Sequence, residues 1–195
     1  TFNQALVTYL NHLKPFELRN VVIETYHKFA RGYLNSGGKM SFNSIGDLDL
    51  RRTLIERAVG NVTQRYEKSK FFDRPLAFFL DEIGWILSHG IETEEQYVAV
   101  ERVGRVGTTL ARKLRSVMFE ILKEYLALRT QQGKLYDWDD IAYHVRQEYL
   151  QDDRARRYRH IIIDEGQDFS PEMIRSLASA IPDDGSLTFF GDVAQ

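Results

Sequence analysis

Cysteine is absent from the 195 residues, which excludes disulfides and thiolate metal sites. The sequence also has no apolar leader and no membrane-length apolar run. Together with the missing thiols, this leads us to expect a cytoplasmic protein without a membrane partner. The formal net charge is only −2, so a wholly basic nucleic-acid coat is excluded and any nucleic-acid contact must come from local patches. There is no internal repeat and no low-complexity tract. The five histidines, at 12, 27, 89, 144 and 160, lack close zinc-ligand spacing. A Gly-x4-Gly-Lys-Ser/Thr phosphate loop is missing as well: Asn35-Ser-Gly-Gly-Lys-Met-Ser41 has the wrong spacing and follows a helix, so it reads as a linker, and Gly104-Arg-Val-Gly107 is too short. What is present is 43% hydrophobic and 28% charged, a globular composition that can bury a substantial core in one domain or in a domain with an insertion. Asn61-Val-Thr63 fits the glycosylation pattern, but nothing suggests secretion.

The chemistry concentrates in Arg159-His-Ile-Ile-Ile-Asp-Glu-Gly-Gln-Asp-Phe-Ser-Pro171. Ile161, Ile162 and Ile163 form a β-branched run with the pattern of a strand covered on both faces, as in a parallel sheet flanked by helices. It stops at Asp164 and Glu165. Adjacent carboxylates at the carboxyl edge of such a sheet lie where open α/β folds leave a ligand crevice. There the first acid can hold Mg2+ through water, and the second can polarise a water that attacks a phosphoryl group. Alternatively, the pair is a strand ending in solvated acids. Gln167 and Asp168 continue the polar cluster, and Ser170-Pro171-Glu172 has the N-cap and first-turn chemistry of a helix start. The pattern then repeats: Leu187-Thr-Phe-Phe190 is a second apolar strand, followed by Gly191-Asp192 and Gln195.

Earlier in the chain, Leu6, Tyr9, Leu10 and Leu13 recur at helical spacing, and Val21-Val-Ile23 reads as a short strand before a helix that runs through about Leu34. From about Gly38 to Lys134 helical periodicity takes over. Helices are expected over Leu48 to Val59 and Leu76 to Leu87, the second around Phe78, Phe79, Ile83 and Ile86. Leu114, Met118, Ile121, Tyr125 and Leu128 form one apolar seam. Arg102, Arg105, Arg112, Lys113 and Arg115 stand in a stretch without an acid, and they are read either as a phosphate-contacting surface or as a solvated helix face. Arg154, Arg156, Arg157 and Arg159 form a second such cluster. Asp137 is expected to cap the last long helix, with Trp138, Ile141, Val145 and Tyr149 along one face.

Asp164-Glu-Gly-Gln-Asp168 resembles the Walker B motif of UvrD/Rep-type superfamily 1 DNA helicases, and Gly191-Asp-Val-Ala-Gln195 resembles the next motif of that family. Thr1-Phe-Asn3 is similar to an early single-strand contact motif. Thr25-Tyr-His27 is similar to the family's Thr-Phe-His element, with Tyr26 in place of the more usual Phe. The resemblance implies an α/β fold: a partial RecA-like parallel sheet of the P-loop NTPase type, residues 1–36 and 135–195, with a large, mainly helical insertion over 37–134. It implies Asp164 at Mg2+, Glu165 as general base toward the γ-phosphate of ATP, Gln195 as nucleotide sensor, and Gln167, Asp168 and Asp192 in support. Single-stranded or duplex DNA would meet Phe2, Thr25, His27 and the Arg102, Arg105 and Arg112 patch. Phe2 reads equally as a core aromatic, and His27 as a satisfied helix-start histidine. The chain looks like a piece of a longer protein, an ATP-dependent DNA helicase or translocase, and is expected to be inactive alone without a phosphate loop or second motor domain. The alternatives are a degenerate motor fold used for binding or regulation, and a P-loop ATPase that does not act on DNA.

Overall fold

A computed structural model describes residues 3–41, 43–66, 69–105, 109–152 and 157–192. The chain forms two compact units, one from residues 1–41 and 140–195, the other from 42–139.

The second unit is helical: α3 (Leu48–Thr63), α4 (Leu76–Ser88), α5 (Glu94–Ala99) and α6 (Arg112–Gln131). Local chemistry sets the starts. Asp47 accepts from the Leu50 N–H at 2.8 Å, and Thr93 with Gln96 forms a reciprocal capping box. The expected apolar faces are buried: Phe78, Phe79, Ile83 and Ile86 of α4 meet Met118, Ile121, Tyr125 and Leu128 of α6 in one continuous core with Leu54, Ile55 and Ala58 of α3. Where the chain enters and leaves this unit it pairs with itself. Ile45 bridges Tyr136, the Tyr136 N–H reaches the Ser44 carbonyl at 3.0 Å, and Lys134 Nζ reaches the Asn43 carbonyl at 2.8 Å.

The first unit holds α1 (Gln4–Leu13), α2 (Tyr26–Ser36), α7 (Ile141–Gln151), β1 (His160–Ile163), α8 (Pro171–Ser179) and β2 (Ser186–Phe189). β1 and β2 pair in parallel, Ile161 opposite Leu187 and Ile163 opposite Phe189. Strand, helix and parallel strand in succession are α/β grammar. Around them the unit is mostly helical, α7 packing on α8 and α2 on α7.

Three expectations are corrected. Val21–Ile23 is not a strand: the Val21 carbonyl accepts from Lys14 Nζ at 2.9 Å and the Ile23 carbonyl from Asn11 Nδ2 at 3.1 Å, so side chains take groups that a ladder would need. β1 is not covered on both faces, because alternate residues point to opposite sides: Ile163 is buried while Ile162 is 67% exposed. Asp137 does not cap α7. That position is Asp140, without a side-chain capping bond, while buried Asp137 accepts from the Tyr125 hydroxyl at 2.6 Å and pairs with Arg51 at 3.2 Å.

Candidate active site at the acid turn

The turn after β1 is stitched to the end of β2 by the backbone. The Phe190 N–H donates to the Ile163 carbonyl and the Gly166 N–H to the Phe190 carbonyl, both at 2.8 Å. Gly166–Asp168 then makes one 3-10 turn, and Ser170 caps α8 by accepting from the Met173 N–H at 3.3 Å, with Pro171 at the first helical position as its chemistry predicts. Two glycines permit this approach. A Cβ on Gly166 would stand 2.2 Å from the Phe189 ring, and one on Gly191 would stand 2.7 Å from Gln167 Oε1 and 3.2 Å from the Gly166 nitrogen.

Among the described residues, Glu165 is the one non-glycine residue with positive φ, at φ 54 and ψ 47. A left-handed conformation costs a side-chain-bearing residue about 1–2 kcal/mol and persists only where its surroundings hold it. Here it holds Glu165 on the solvent side beside half-buried Asp164. The Glu165 carboxylate accepts from Gln167 Nε2 at 2.6 Å, and Gln167 Oε1 accepts from the Asp192 N–H at 3.1 Å. Asp168 and Asp192 are exposed. No cluster of three or more His, Asp or Glu side chains forms a metal cage among the described residues. A water-rich Mg2+ shell that takes one or two carboxylate oxygens and completes itself on phosphates asks for no such cage, and Asp164 fits that demand.

Thr25 and His27 occupy the start of α2. Thr25 Oγ1 accepts from the Lys28 N–H at 3.3 Å as the helix cap, and burial lowers the pKa of half-buried His27. Between them, Tyr26 turns inward: its ring lies edge-on to Phe169, centroids 5.8 Å apart, and its hydroxyl meets Ser176 Oγ of α8 at 2.7 Å. Burial drives its phenol pKa well above the ordinary value. A cavity of about 130 Å3 opens between this segment and β1, lined by Val22, Thr25, Phe29, His160, Ile163 and Phe169 among others. Thr25 lines it; Asp164 and Asp192 do not.

The basic patch is corrected in part. Arg102 and Arg105 do not form a phosphate-facing surface, because both are spent on Glu82 of α4. Arg102 Nε lies 2.7 Å from Glu82 Oε1 and Arg105 Nη2 lies 3.0 Å from Oε2; the two arginine side chains are 7% and 14% exposed. Tyr97 donates to the same carboxylate at 2.6 Å, and Arg115 turns inward to the carbonyls of Tyr97, Val98 and Val100. Arg112 stays exposed in the first turn of α6. In the second cluster, Arg157 reaches the Ser179 carbonyl, and exposed Arg159 pairs with Asp184 at 3.1 Å. Phe2, Arg154, Arg156 and Gln195 lie outside the described residues. Sequence reasoning overlooked Glu82, although an acid inside the apolar run Leu76–Ser88 and an arginine cluster with no acid of its own signal a buried pair. It also overlooked Glu172, buried in α8 and taking Arg146 and Arg175.

Compared with models of protein families, the chain matches the UvrD/REP helicase N-terminal domain over residues 3–195. No curated protein matches it.

Proposed function

The chain belongs to the family of UvrD/REP helicase N-terminal domains, and on that premise we propose that it is part of the first motor domain of an ATP-dependent DNA helicase or translocase. Residues 1–36 and 135–195 are the RecA-like portion, residues 37–134 the helical insertion, and the cytoplasm its compartment. Asp164 holds Mg2+ through water, and Glu165 takes the proton from the water that attacks the γ-phosphate of ATP. When bound, the metal neutralises charge on the phosphate oxygens. Gln167, Asp168 and Asp192 support that site, and Gln195 senses the nucleotide. Phe2, Thr25 and His27 contact single-stranded DNA, and Arg112 contacts phosphate; Arg102 and Arg105 have no part in the binding.

The observation that carries this reading is the acid turn itself. Glu165 is held in a strained left-handed conformation at the carboxyl end of a parallel strand, and its carboxylate is tied to the segment after β2. Phosphoryl transfer depends on positioning more than on covalent chemistry, and a clamped carboxylate beside an open, half-buried one meets that need. In the full-length protein, Glu165→Gln should leave ATP binding near wild type and lower turnover about 10²- to 10⁴-fold, the usual worth of a general base. Single-stranded DNA should stimulate the wild-type rate. Unchanged turnover in the variant would overturn the assignment, and turnover indifferent to DNA and RNA strands would point to an ATPase that acts elsewhere.

A further inference from the structure

Gln167 is placed so that its amide can work in only one orientation. Its Nε2 lies 2.6 Å from Glu165 Oε2, a pure acceptor when ionised, and its Oε1 lies 3.1 Å from the Asp192 backbone nitrogen, a pure donor. Turning the amide over would set oxygen against carboxylate and N–H against N–H. The backbone carrying Gln167 is equally constrained, since Gly191 passes close to the Gln167 and Gly166 nitrogens. A single side chain thus bridges the Glu165 carboxylate and the backbone just beyond β2.

We propose that Gln167 is a positioning residue: it aims the Glu165 carboxylate at the attacking water and makes that aim follow the position of the Gly191–Asp192 segment. The proposal rests on the reading of Glu165 as the general base. Glu165 is exposed, so without a partner its carboxylate would sample several rotamers. One hydrogen bond from an amide that is itself anchored at its other end selects among them. A shift of the segment after β2 pulls on Oε1 and turns the donor away from Glu165. The rate of the chemical step therefore reports on the end of β2 with no change in the residues that hold nucleotide.

The test uses the full-length protein and five variants assayed for ATP turnover. Gln167→Met keeps the shape and removes both hydrogen bonds. It should lower kcat about 10- to 100-fold with KM for ATP nearly unchanged, as expected when a reacting group is misplaced and not removed. Gln167→Glu keeps the length of the side chain but sets an acceptor in place of the donor against Glu165, so it should lower kcat in the same sense with KM for ATP nearly unchanged, a split that a merely structural role would not produce. Glu165→Gln combined with Gln167→Met should be no slower than Glu165→Gln alone, because the two act as one unit. Gly191→Ala crowds Oε1 and should lower kcat in the same sense as Gln167→Met. A wild-type kcat for Gln167→Met, in protein that Glu165→Gln does inactivate, overturns the positioning role and leaves the base intact. A wild-type kcat for Gly191→Ala overturns the link to β2. Full activity in Glu165→Gln overturns the base and this proposal with it.

Discussion

The two units handle burial to different degrees. In the unit of residues 42–139, apolar side chains of α3, α4 and α6 close on one another, and the inward-facing charges are neutralised internally: Glu82 takes Arg102, Arg105 and Tyr97, and Asp137 takes Arg51 and Tyr125. In the other unit, apolar residues stand in the open. Ile162 is 67% and Phe190 57% exposed, Tyr9, Leu13 and Phe16 are exposed near the start, and the acids Glu165, Asp168 and Asp192 face solvent. The difference is one of degree, since Leu48 and Val103 are exposed in the first of these units and Glu172 is buried against Arg146 and Arg175 in the other, but exposed apolar residues are more frequent in the unit of β1 and β2. The acid turn proposed as the site lies in the second of these units, where fewer of the described charged residues are buried.

The sharpest way to break the contrast is to remove the carboxylate that three side chains share. Glu82→Ala should destabilise its unit by about 3–5 kcal/mol, as breaking a buried ion pair does. Both tryptophans, Trp85 and Trp138, lie in that unit, so denaturant unfolding followed by their emission reads the loss directly. A shift below about 1 kcal/mol would show that the pairs are not what closes it.

The same substitution made once in each unit gives a smaller but cleaner measure. Ile121→Ala removes a fully buried side chain and should cost about 2–5 kcal/mol, whereas Ile162→Ala, on the open face of β1, should stay within about 0.5 kcal/mol. Equal costs in two denaturation curves would mean that the open face is covered in solution. The least effect is expected from acid. Burial lowers the pKa of His27 below the ordinary 6.5, so the unfolded chain binds this proton more readily and the unit of α2 loses stability as pH falls from about 6.5. Burial raises the Glu82 carboxyl, but hydrogen bonds from Arg102 and Tyr97 and the charges of Arg102 and Arg105 outweigh it and hold the group below its ordinary 4.5. Its contribution is complete above about 4.5 and is lost only as pH falls through the depressed value. Hydrogen exchange across that range should therefore soften α2 before α4, and the reverse order would contradict the pairing.

Much of the architecture was legible because its causes are local. The start of α8 follows from Ser170 and Pro171, and the seam of α6 follows from the spacing of Met118, Ile121, Tyr125 and Leu128. Val21–Ile23 misled because a β-branched run gives an extended chain without guaranteeing a partner, and here Asn11 and Lys14 supplied other bonds. The basic run misled for a similar reason: neighbouring arginines in sequence resemble a patch, but Glu82, 20 residues from Arg102, decides which way they point.

By itself the sequence determined where α3, α4 and α8 begin, which strand ends in paired acids, and the family those motifs mark, since caps, periods and motifs act over a few residues. Tertiary structure alone decided that Arg102 and Arg105 are consumed inside, that Ile162 faces outward, and that Gln167 reaches both Glu165 and the Asp192 N–H 25 residues further along the chain. Each of those outcomes depends on a partner brought close by folding, and spacing along the chain carries no record of it.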